Sequence, residues 1–176
     1  WKTTNCCDAN TTWTVLTDDV QFNSIAIGTL HMDPHDHNTI YAGTGDLRYG
    51  SFSFGSAGLL RTRDAGNQWE ILGADVFGPA LPTTPGSFPQ YQSIGQVQVD
   101  PRNSQTIVVG TKTGLFISYD DGAQWTGPCL TNNFTSQRQD ITGLLTLDNG
   151  SATELLVAVG TRGGPTPVQP DLDQNG

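Results

Sequence analysis

The amino-acid sequence predicts an all-β fold, a partial β-propeller made of four-stranded antiparallel blades. Three observations lead to this fold class. Tryptophan-bearing turns recur every 56 residues, pairs of short apolar strands recur between them, and turn residues are abundant, with 21 Gly and 10 Pro in 176 residues. Many short strands joined by tight turns are typical of sandwiches, barrels and propellers. A four-stranded unit repeated along the chain favours the propeller.

The first repeat is a polar turn that ends in Trp13, Trp69 or Trp125. Its two regular copies read Thr/Ser-x-Asp-x-Gly-x-x-Trp, and their other fixed positions are Thr62, Asp64, Gly66, Ser118, Asp120 and Gly122. A short aspartate accepts hydrogen bonds from the backbone N–H groups that follow it, and glycine permits a left-handed backbone step. We therefore predict structural turns between the third and fourth strands of a blade, each tryptophan packing on the next blade.

The first copy of the turn allows two registers. In one, Asp8 takes the place of the aspartate, and Asn10, which tolerates left-handed backbone, takes the place of the glycine. In the other, residues 1–4 form the preceding strand, Asn5 replaces the aspartate, and a short insertion follows. The sequence leaves both registers open.

The second repeat is a pair of apolar strands. Segments IGTLHMD, IGQVQVD and TGLLTLD end at Asp33, Asp100 and Asp148, with apolar residues one and three positions before each aspartate. This alternation is typical of a strand with one buried face. Each first strand is followed by a polar turn and by a second strand that ends in Gly-Thr. A third strand and the tryptophan turn come next.

Interleaving the two repeats divides the chain into blades. We predict the end of one blade at 1–22, full blades at 23–73 and 93–130, the first half of a further blade at 139–162, an inter-blade loop at 74–92 that covers an edge, and a polar loop at 163–176. An open arc leaves sheet faces uncovered. We therefore expect the remaining blades to come from a longer parent chain.

Composition limits the partners. The net charge of −9 and only eight Lys and Arg argue against nucleic acid, and no apolar run reaches membrane-spanning length. Cys6, Cys7 and Cys129 show no CxxC spacing, which disfavours zinc. Adjacent cysteines rarely pair with each other. The sequence leaves open whether Cys6 or Cys7 pairs with Cys129 or with a residue outside these 176 residues.

Residues 62–69 and 118–125 resemble the Asp-box, the bacterial neuraminidase repeat, in full. The resemblance implies a β-propeller of that superfamily and a structural role for Asp8 with the turn residues above. Sialidases of this type use an arginine cluster and a Tyr–Glu pair, whereas the arginines here are scattered and the only glutamates are Glu70 and Glu154. The segment order is also similar to the first blades of two-propeller xyloglucan-hydrolysing enzymes and to secreted bacterial and sortilin-like repeat proteins.

The longest insertion within a blade, residues 45–58, is the predicted ligand-binding loop. It carries Arg48, Tyr49, Phe52 and Phe54 among glycines and serines. Exposed aromatic rings with small polar neighbours suit sugar stacking or protein contacts. In the alternative, the phenylalanines fold back and pack under the loop.

Two segments bear on metal binding. The segment HMDPHDH, residues 31–37, groups three histidines and two aspartates, but the equivalent turn PRNSQ has no histidine, so we interpret the former as a solvated turn. The final DLDQNG matches the opening of a calcium loop, with Asp171, Asp173 and Asn175 as oxygen ligands. A polar loop without metal is the alternative, and no other cofactor is expected.

The resemblance implies an extracellular or cell-surface location. The matching repeats and the lack of a unique catalytic constellation predict a module without catalytic residues that binds a glycan or a protein or serves as a scaffold. Glycoside hydrolysis needs two catalytic carboxylates. The resemblance to xyloglucan-hydrolysing enzymes implies that neither of them has a counterpart in this chain. The alternative is a part of a xyloglucanase-like or sialidase-like hydrolase whose catalytic carboxylates lie outside these 176 residues.

Overall fold

The computed structural model describes residues 1–17, 26–47, 55–81, 90–129 and 140–160. These residues form β-strands joined by turns, with four-stranded antiparallel sheets as the main units. The predicted all-β fold class is therefore confirmed. Within the described ranges, no helix is long and apolar enough to cross a membrane.

Residues 1–17 form the N-terminal ribbon, in which Lys2 pairs with Thr14 in an antiparallel bridge. Sheet I follows, with its strands in the order of the chain. They are β1 (Ile27–Met32), β2 (Ile40–Thr44), β3 (Leu59–Thr62) and β4 (Glu70–Leu72).

A short segment connects the two sheets. It contains helix α1 (Ala74–Phe77) and a small hairpin of β5 (Ala80–Leu81) and β6 (Gln90–Tyr91). Phe77 is fully buried, and its ring meets Phe116 and Trp125 edge-on, at centroid distances of 5.3 and 5.0 Å. The segment was expected to cover an edge. It also places an aromatic ring in the core, which its polar, Pro-rich composition did not indicate.

Sheet II and a final hairpin complete the described structure. Sheet II contains β7 (Ile94–Asp100), β8 (Asn103–Thr111), β9 (Gly114–Ser118) and β10 (Thr126–Cys129), again in chain order. Hairpin III consists of β11 (Asp140–Asp148) and β12 (Thr153–Gly160).

Sheets I and II pack face to face in seam I–II. Its core joins Tyr41 and Leu59 of sheet I and Phe77 of α1 with a row of apolar residues from sheet II, which are Ile94, Val97, Val99, Ile107, Val109 and Phe116. Seam II–III, between sheet II and hairpin III, is built on Val108, Leu115, Ile141 and Leu144. Burial of these apolar surfaces is the main force that holds the sheets together.

Glycines let the sheets approach closely in both seams. A Cβ added at Gly43 of β2 would lie 2.5 Å from the Cγ2 of Ile94, and one added at Gly110 of β8 would lie 2.5 Å from the Cγ2 of Ile141. In β2 and β8, the glycine of the Gly-Thr ending therefore leaves room for an isoleucine from the next unit. This explains the repeated Gly-Thr in the sequence.

The buried face predicted before each strand-end aspartate is present only in sheet II. Val97 and Val99 are buried, but Leu145 and Leu147 of β11 are 46% and 38% exposed. The irregularity in β11 falls between Ile141 and Gly143, and the pairing that follows is offset by one residue from that in β7. A one-residue offset turns every side chain to the opposite face.

The equivalent residues of β1, Leu30 and Met32, are 68% and 52% exposed. Leu30 pairs with Ala42, which packs with Leu60 and Trp69 rather than in seam I–II. Leu30 and Met32, two positions apart on β1, therefore lie on the face of sheet I that is turned away from sheet II. The sequence pattern correctly predicted a strand here but not what covers its apolar face.

Cys6 and Cys7 are joined to each other by a disulfide, and Cys129 is a free thiol. The expectation that the adjacent cysteines avoid each other is therefore wrong. Cys129 lies on β10, is partly buried and packs against the apolar cluster of seam II–III.

Candidate functional site

The strands end at two edges with different chemistry. The turn edge carries the β1–β2 and β3–β4 turns of sheet I and their counterparts in sheet II and hairpin III. The loop edge is the opposite end, where the connection from β2 to β3 leaves and returns. The predicted tryptophan turns lie at the turn edge, and the described ends of the predicted ligand loop, 45–47 and 55–58, lie at the loop edge.

The tryptophan turn of sheet I is closed by one hydroxyl and one carboxylate. Thr62 Oγ1 donates to Asp64 Oδ1 at 2.8 Å and accepts the N–H of Gly66 at 2.9 Å. Asp64 Oδ1 also accepts the N–H of Gln68 at 2.8 Å. Gly66 has a φ of 99°, which explains the requirement for glycine.

The turn of sheet II repeats these bonds. Ser118 Oγ donates to Asp120 Oδ1 at 2.8 Å and accepts the N–H of Gly122 at 2.8 Å, and Asp120 Oδ1 accepts the N–H of Gln124 at 2.9 Å. In both turns, the backbone N–H four residues later and then the hydroxyl two residues earlier lower the pKa of the aspartate. A general acid needs a raised pKa, so Asp64 and Asp120 are suited to bracing a turn.

The N-terminal ribbon contains the first turn in its alternative register. Asn5 Oδ1 accepts the N–H of Thr12 at 2.9 Å and the hydroxyl of Thr3 at 3.0 Å, which are the two bonds that Asp64 Oδ1 makes. Asp8 instead accepts the N–H of Asn10 at 2.7 Å, inside the insertion. The assignment of Asp8 to the turn's aspartate position is therefore wrong, because the insertion moves it out of register.

The tryptophans of the three turns pack differently. Trp69 lies on Ala42 and Leu60 of its own sheet, and its Nε1–H donates to the carbonyl three residues earlier at 3.1 Å. Trp125 joins the core of seam I–II, and Trp13 is 56% exposed. The expectation that each ring packs on the next blade is thus wrong for Trp69, whose ring folds back over the strands that precede it.

A cation from one unit contacts the turn of the next unit. Lys2 Nζ donates to the carbonyl of Ala65, and Arg61 Nη1 donates to the carbonyl of Asp121, both at 2.9 Å. Each cation stands immediately before the hydroxyl residue of its own turn, and each acceptor follows the aspartate of the next turn. The two acceptor residues have φ values of 57° and 62°. In sheet II this position is Ile117, which has no donor.

The buried Arg61 also pairs with two partly exposed carboxylates, Glu70 of its own sheet and Asp121 across seam I–II. Its Nε donates to Glu70 Oε1 and its Nη1 to Asp121 Oδ1, both at 2.7 Å, while its side chain is only 7% exposed. Arg63 adds a second, more exposed cation to the Asp121 carboxylate. A buried charge is tolerated only with such partners. The sequence analysis treated these arginines as scattered and missed their role.

The strand-end aspartates form a second repeated contact. Asp33, Asp100 and Asp148 each accept the N–H two residues later at 2.8 Å. The side chain at that later position reaches the next unit, since His35 Nε2 donates to the carbonyl of Asp100 at 2.9 Å and Arg102 Nη1 donates to Asp148 Oδ1 at 2.8 Å. The three aspartates thus stabilise their own turns, and Asp100 and Asp148 also accept a hydrogen bond from a side chain of the preceding unit.

His31 is half-buried in seam I–II, where its Nε2 accepts the N–H of Val99 at 3.2 Å. Burial lowers the pKa of His31, and the nearby Asp33 opposes this change. The interpretation as a solvated turn is confirmed for residues 34–38, which are all exposed, and is wrong for His31, which lies half-buried on β1. His35 is exposed and also bonds to sheet II. Within the described ranges, no three His, Cys, Asp or Glu residues are placed to hold a metal ion.

A polar cavity of about 250 Å³ lies at the turn edge of seam I–II. Its lining consists of Asp33, His35, Asp36, Thr39, Arg63, Ser104, Gln105 and Asp121. Asp36 accepts the N–H of Asn38 and the hydroxyl of Thr39, which lower its pKa, and Arg63 is paired with Asp121. Most of these charged groups already have partners within the protein, which favours a structural polar junction over a ligand site.

Buried polar side chains also concentrate at the loop edge. Thr44 Oγ1 donates to the carbonyl of Gly58 at 2.5 Å and lies 2.9 Å from Ser56 Oγ. Gln92 and Ser93 are buried, and Gln92 Oε1 and Ser93 Oγ have no partner among the described residues. These atoms are enclosed, so they do not themselves offer a ligand contact. The loop edge is the candidate for ligand contact because the described ends of the predicted ligand loop, residues 45–47 and 55–58, lie there.

Two sets of predicted ligand residues lie outside the described residues. They are Arg48, Tyr49, Phe52 and Phe54 of the loop, and the calcium candidates Asp171, Asp173 and Asn175. Both assignments stay predictions.

Comparison with known proteins places the chain beside xyloglucan-degrading enzymes. No protein-family model matches it. The xyloglucanase of Hypocrea jecorina (strain QM6a) is 26% identical over 165 residues, covering 83% of this chain and 19% of that enzyme. This chain therefore spans about a fifth of the length of that relative.

Solved structures show a similar relation. The GH74 xyloglucanase of Xanthomonas campestris aligns with a TM-score of 0.50 and 24% identity, over 81% of this chain and 20% of that one. The GH74 enzyme of Niastella koreensis aligns with a TM-score of 0.48 and 21% identity, over 76% and 19%. The likeness to the Xanthomonas enzyme supports the β-propeller fold of the chain.

Proposed function

We propose that this chain is a non-catalytic, glycan-binding part of the propeller of an extracellular, xyloglucan-acting glycoside hydrolase. The observation that carries this proposal is the likeness to the Hypocrea jecorina xyloglucanase, which extends over 83% of this chain but only 19% of that enzyme. A fold supplies a scaffold, and its function depends on the groups placed on it. We also assign the turns at 62–69 and 118–125 to the Asp-box type.

The carboxylates at the turn edge support a non-catalytic role. Glycoside hydrolysis uses two carboxyl groups, one of which has a raised pKa and donates a proton. Hydrogen bonds lower the pKa of Asp36, Asp64 and Asp120, and Arg102 followed by a backbone N–H lowers that of Asp148. These four groups stay ionised and act as acceptors at neutral pH.

The loop edge supports glycan binding. Sugar hydroxyls bond to polar side chains, while the faces of sugar rings stack on aromatic rings. The loop with Tyr49 and Phe52 leaves from this edge, where its described ends, residues 45–47 and 55–58, lie. The net charge of −9 suits a neutral polysaccharide better than a polyanion.

Affinity electrophoresis of the 176-residue chain in gels that contain xyloglucan tests this proposal. We expect xyloglucan to slow the chain, galactomannan to leave it unaffected, and a parallel assay to detect no reducing sugar released. The double variant Tyr49→Ala/Phe52→Ala should migrate as in an empty gel. Tyr119→Ala is the matched control, because Tyr119 is an aromatic residue that is 64% exposed at the turn edge.

Two results would contradict the proposal in different ways. Release of reducing sugar by the chain alone would show that it is catalytic. Equal migration in xyloglucan and in empty gels would show that it contributes a scaffold without glycan affinity.

A further inference from the structure

We propose that seam I–II is sensitive to pH: protonation of His31 breaks its bond to the backbone of Val99 and loosens the contact between sheets I and II, whereas seam II–III is unaffected. The inference rests on the hydrogen-bond roles of two histidines in one seam and on the residues that occupy equivalent positions in the other. It concerns the assembly of the sheets and is independent of the proposed ligand.

The bond between His31 and Val99 fixes the state of the imidazole. A backbone N–H only donates, so the His31 Nε2 that it reaches, 3.2 Å away, has a free lone pair. The ring is therefore neutral, with its proton on Nδ1. A proton added at Nε2 would set two donors against each other inside the seam, and that contact would be lost.

Among the described residues, His31 Nε2 makes one hydrogen bond, the one that it accepts from the N–H of Val99. Asp33 lies two residues away on β1, and Tyr41 and Arg61 continue the same cross-strand row on β2 and β3. On β7, the carbonyl of Asp100 already accepts from His35. Burial disfavours the charged ring more than Asp33 favours it, which lowers the pKa of His31.

His35 provides an internal contrast. Its Nε2 donates to the carbonyl of Asp100 at 2.9 Å. A protonated imidazole carries an N–H at both nitrogens, so this bond survives acidification. Of the two histidines that cross seam I–II in the described structure, only His31 has a bond that requires the neutral form.

Seam II–III supplies the matched position. Gln98 stands two residues before Asp100, as His31 stands two before Asp33, and its Oε1 accepts the hydroxyl of Thr146 at 3.3 Å. An amide does not titrate in this range, so the equivalent contact is constant with pH. At this position seam I–II thus has an acceptor that titrates, His31, whereas seam II–III has one that does not, Gln98.

The direction of the effect follows from proton linkage. Because the pKa of His31 is lower in the folded protein than its usual 6.5, the unfolded chain binds more protons. The stabilisation is complete above about pH 6.5 and is lost as the pH falls towards the folded pKa. A single group changes the folding equilibrium constant by at most about tenfold per pH unit.

The test measures the thermal midpoint and amide hydrogen exchange of the 176-residue chain at pH 7.5 and pH 5.0, with exchange rates corrected for intrinsic pH dependence. We expect a lower midpoint at pH 5.0 and faster exchange in the segment containing Val99, with little change in β11 and β12. His31→Gln, which copies the residue of seam II–III, should remove most of this difference. His35→Gln should retain it.

A reciprocal variant keeps the test decisive if His31→Gln fails to fold. Gln98→His places the titrating acceptor in seam II–III and should make β11 exchange faster at pH 5.0. The proposal is overturned if the wild-type Val99 segment exchanges equally at both pH values, if His31→Gln retains the full difference, or if His35→Gln alone abolishes it.

Discussion

Seam I–II and seam II–III join similar strands but differ in what stabilises them. Seam I–II has the fully buried Phe77 and the buried Arg61 between Glu70 and Asp121. The ion pair of seam II–III, Arg102 with Asp148, has side chains that are 38% and 45% exposed. The comparison teaches that the repeated strand pattern sets the geometry, while a few side chains at equivalent positions set the strength.

The features that the seams share clarify this difference. In both seams an isoleucine packs against a glycine of a second strand. In both, a side chain from the turn after the first strand also donates a hydrogen bond to the aspartate that ends the first strand of the next unit. Seam I–II adds a cation where sheet II has Ile117 and an aromatic ring from α1. We therefore expect seam I–II to open at higher free energy than seam II–III.

The largest difference is expected from truncating the aromatic ring of seam I–II. Phe77→Ala should lower the free energy of unfolding by about 3–5 kcal/mol, the usual cost of removing a buried aromatic side chain. Leu144→Ala in seam II–III should cost roughly 2 kcal/mol, near the lower limit for a buried leucine. Urea unfolding followed by tryptophan fluorescence measures both values, and equal losses would show that α1 adds little to the first seam.

The next largest difference is expected between the ion pairs of the two seams. Arg61→Gln should lower the free energy of unfolding by roughly 2 kcal/mol, less than the loss of a fully buried pair because Glu70 and Asp121 remain partly in water. Arg102→Gln, the matched change in seam II–III, should give no resolvable change, since exposed pairs contribute little. A larger loss for Arg102→Gln would reverse the ranking of the seams.

The smallest effect is expected at the tryptophan turns in acid. The pKa of Asp64 and of Asp120 is lower than the usual 3.8, so their stabilisation is present above about pH 3.8 and disappears as the pH falls through the folded pKa. Asp64→Asn and Asp120→Asn should each flatten the decrease in the thermal midpoint below pH 4. An unchanged acid limb in both variants would indicate that other carboxylates control it.

The sequence predicted what depends on local repetition. The Asp–Gly–Trp spacing correctly located the turns because a hydroxyl, a carboxylate and a glycine with positive φ are all required within eight residues. The strand pairs were likewise visible from alternation and Gly-Thr endings. These features depend on residues close in the chain, so one copy of the motif contains the information.

The seams were not predictable in the same way. Arg61 reaches a carbonyl sixty positions away, and His31 meets a backbone N–H sixty-eight positions away. Their roles depend on how sheets stack, which a linear pattern does not show. One usable signal was overlooked: Lys2 and Arg61 both stand directly before the hydroxyl of their turns, a repeated cation that indicated a contact between units.

Native-state hydrogen exchange tests the central claim that seam I–II is stronger than seam II–III. The amides of β7 to β9, which are held in seam I–II, should exchange only through the opening with the highest free energy. Those of β11 and β12 should exchange through a separate opening of lower free energy. Protection of β11 and β12 equal to or greater than that of β7 to β9 would contradict the account.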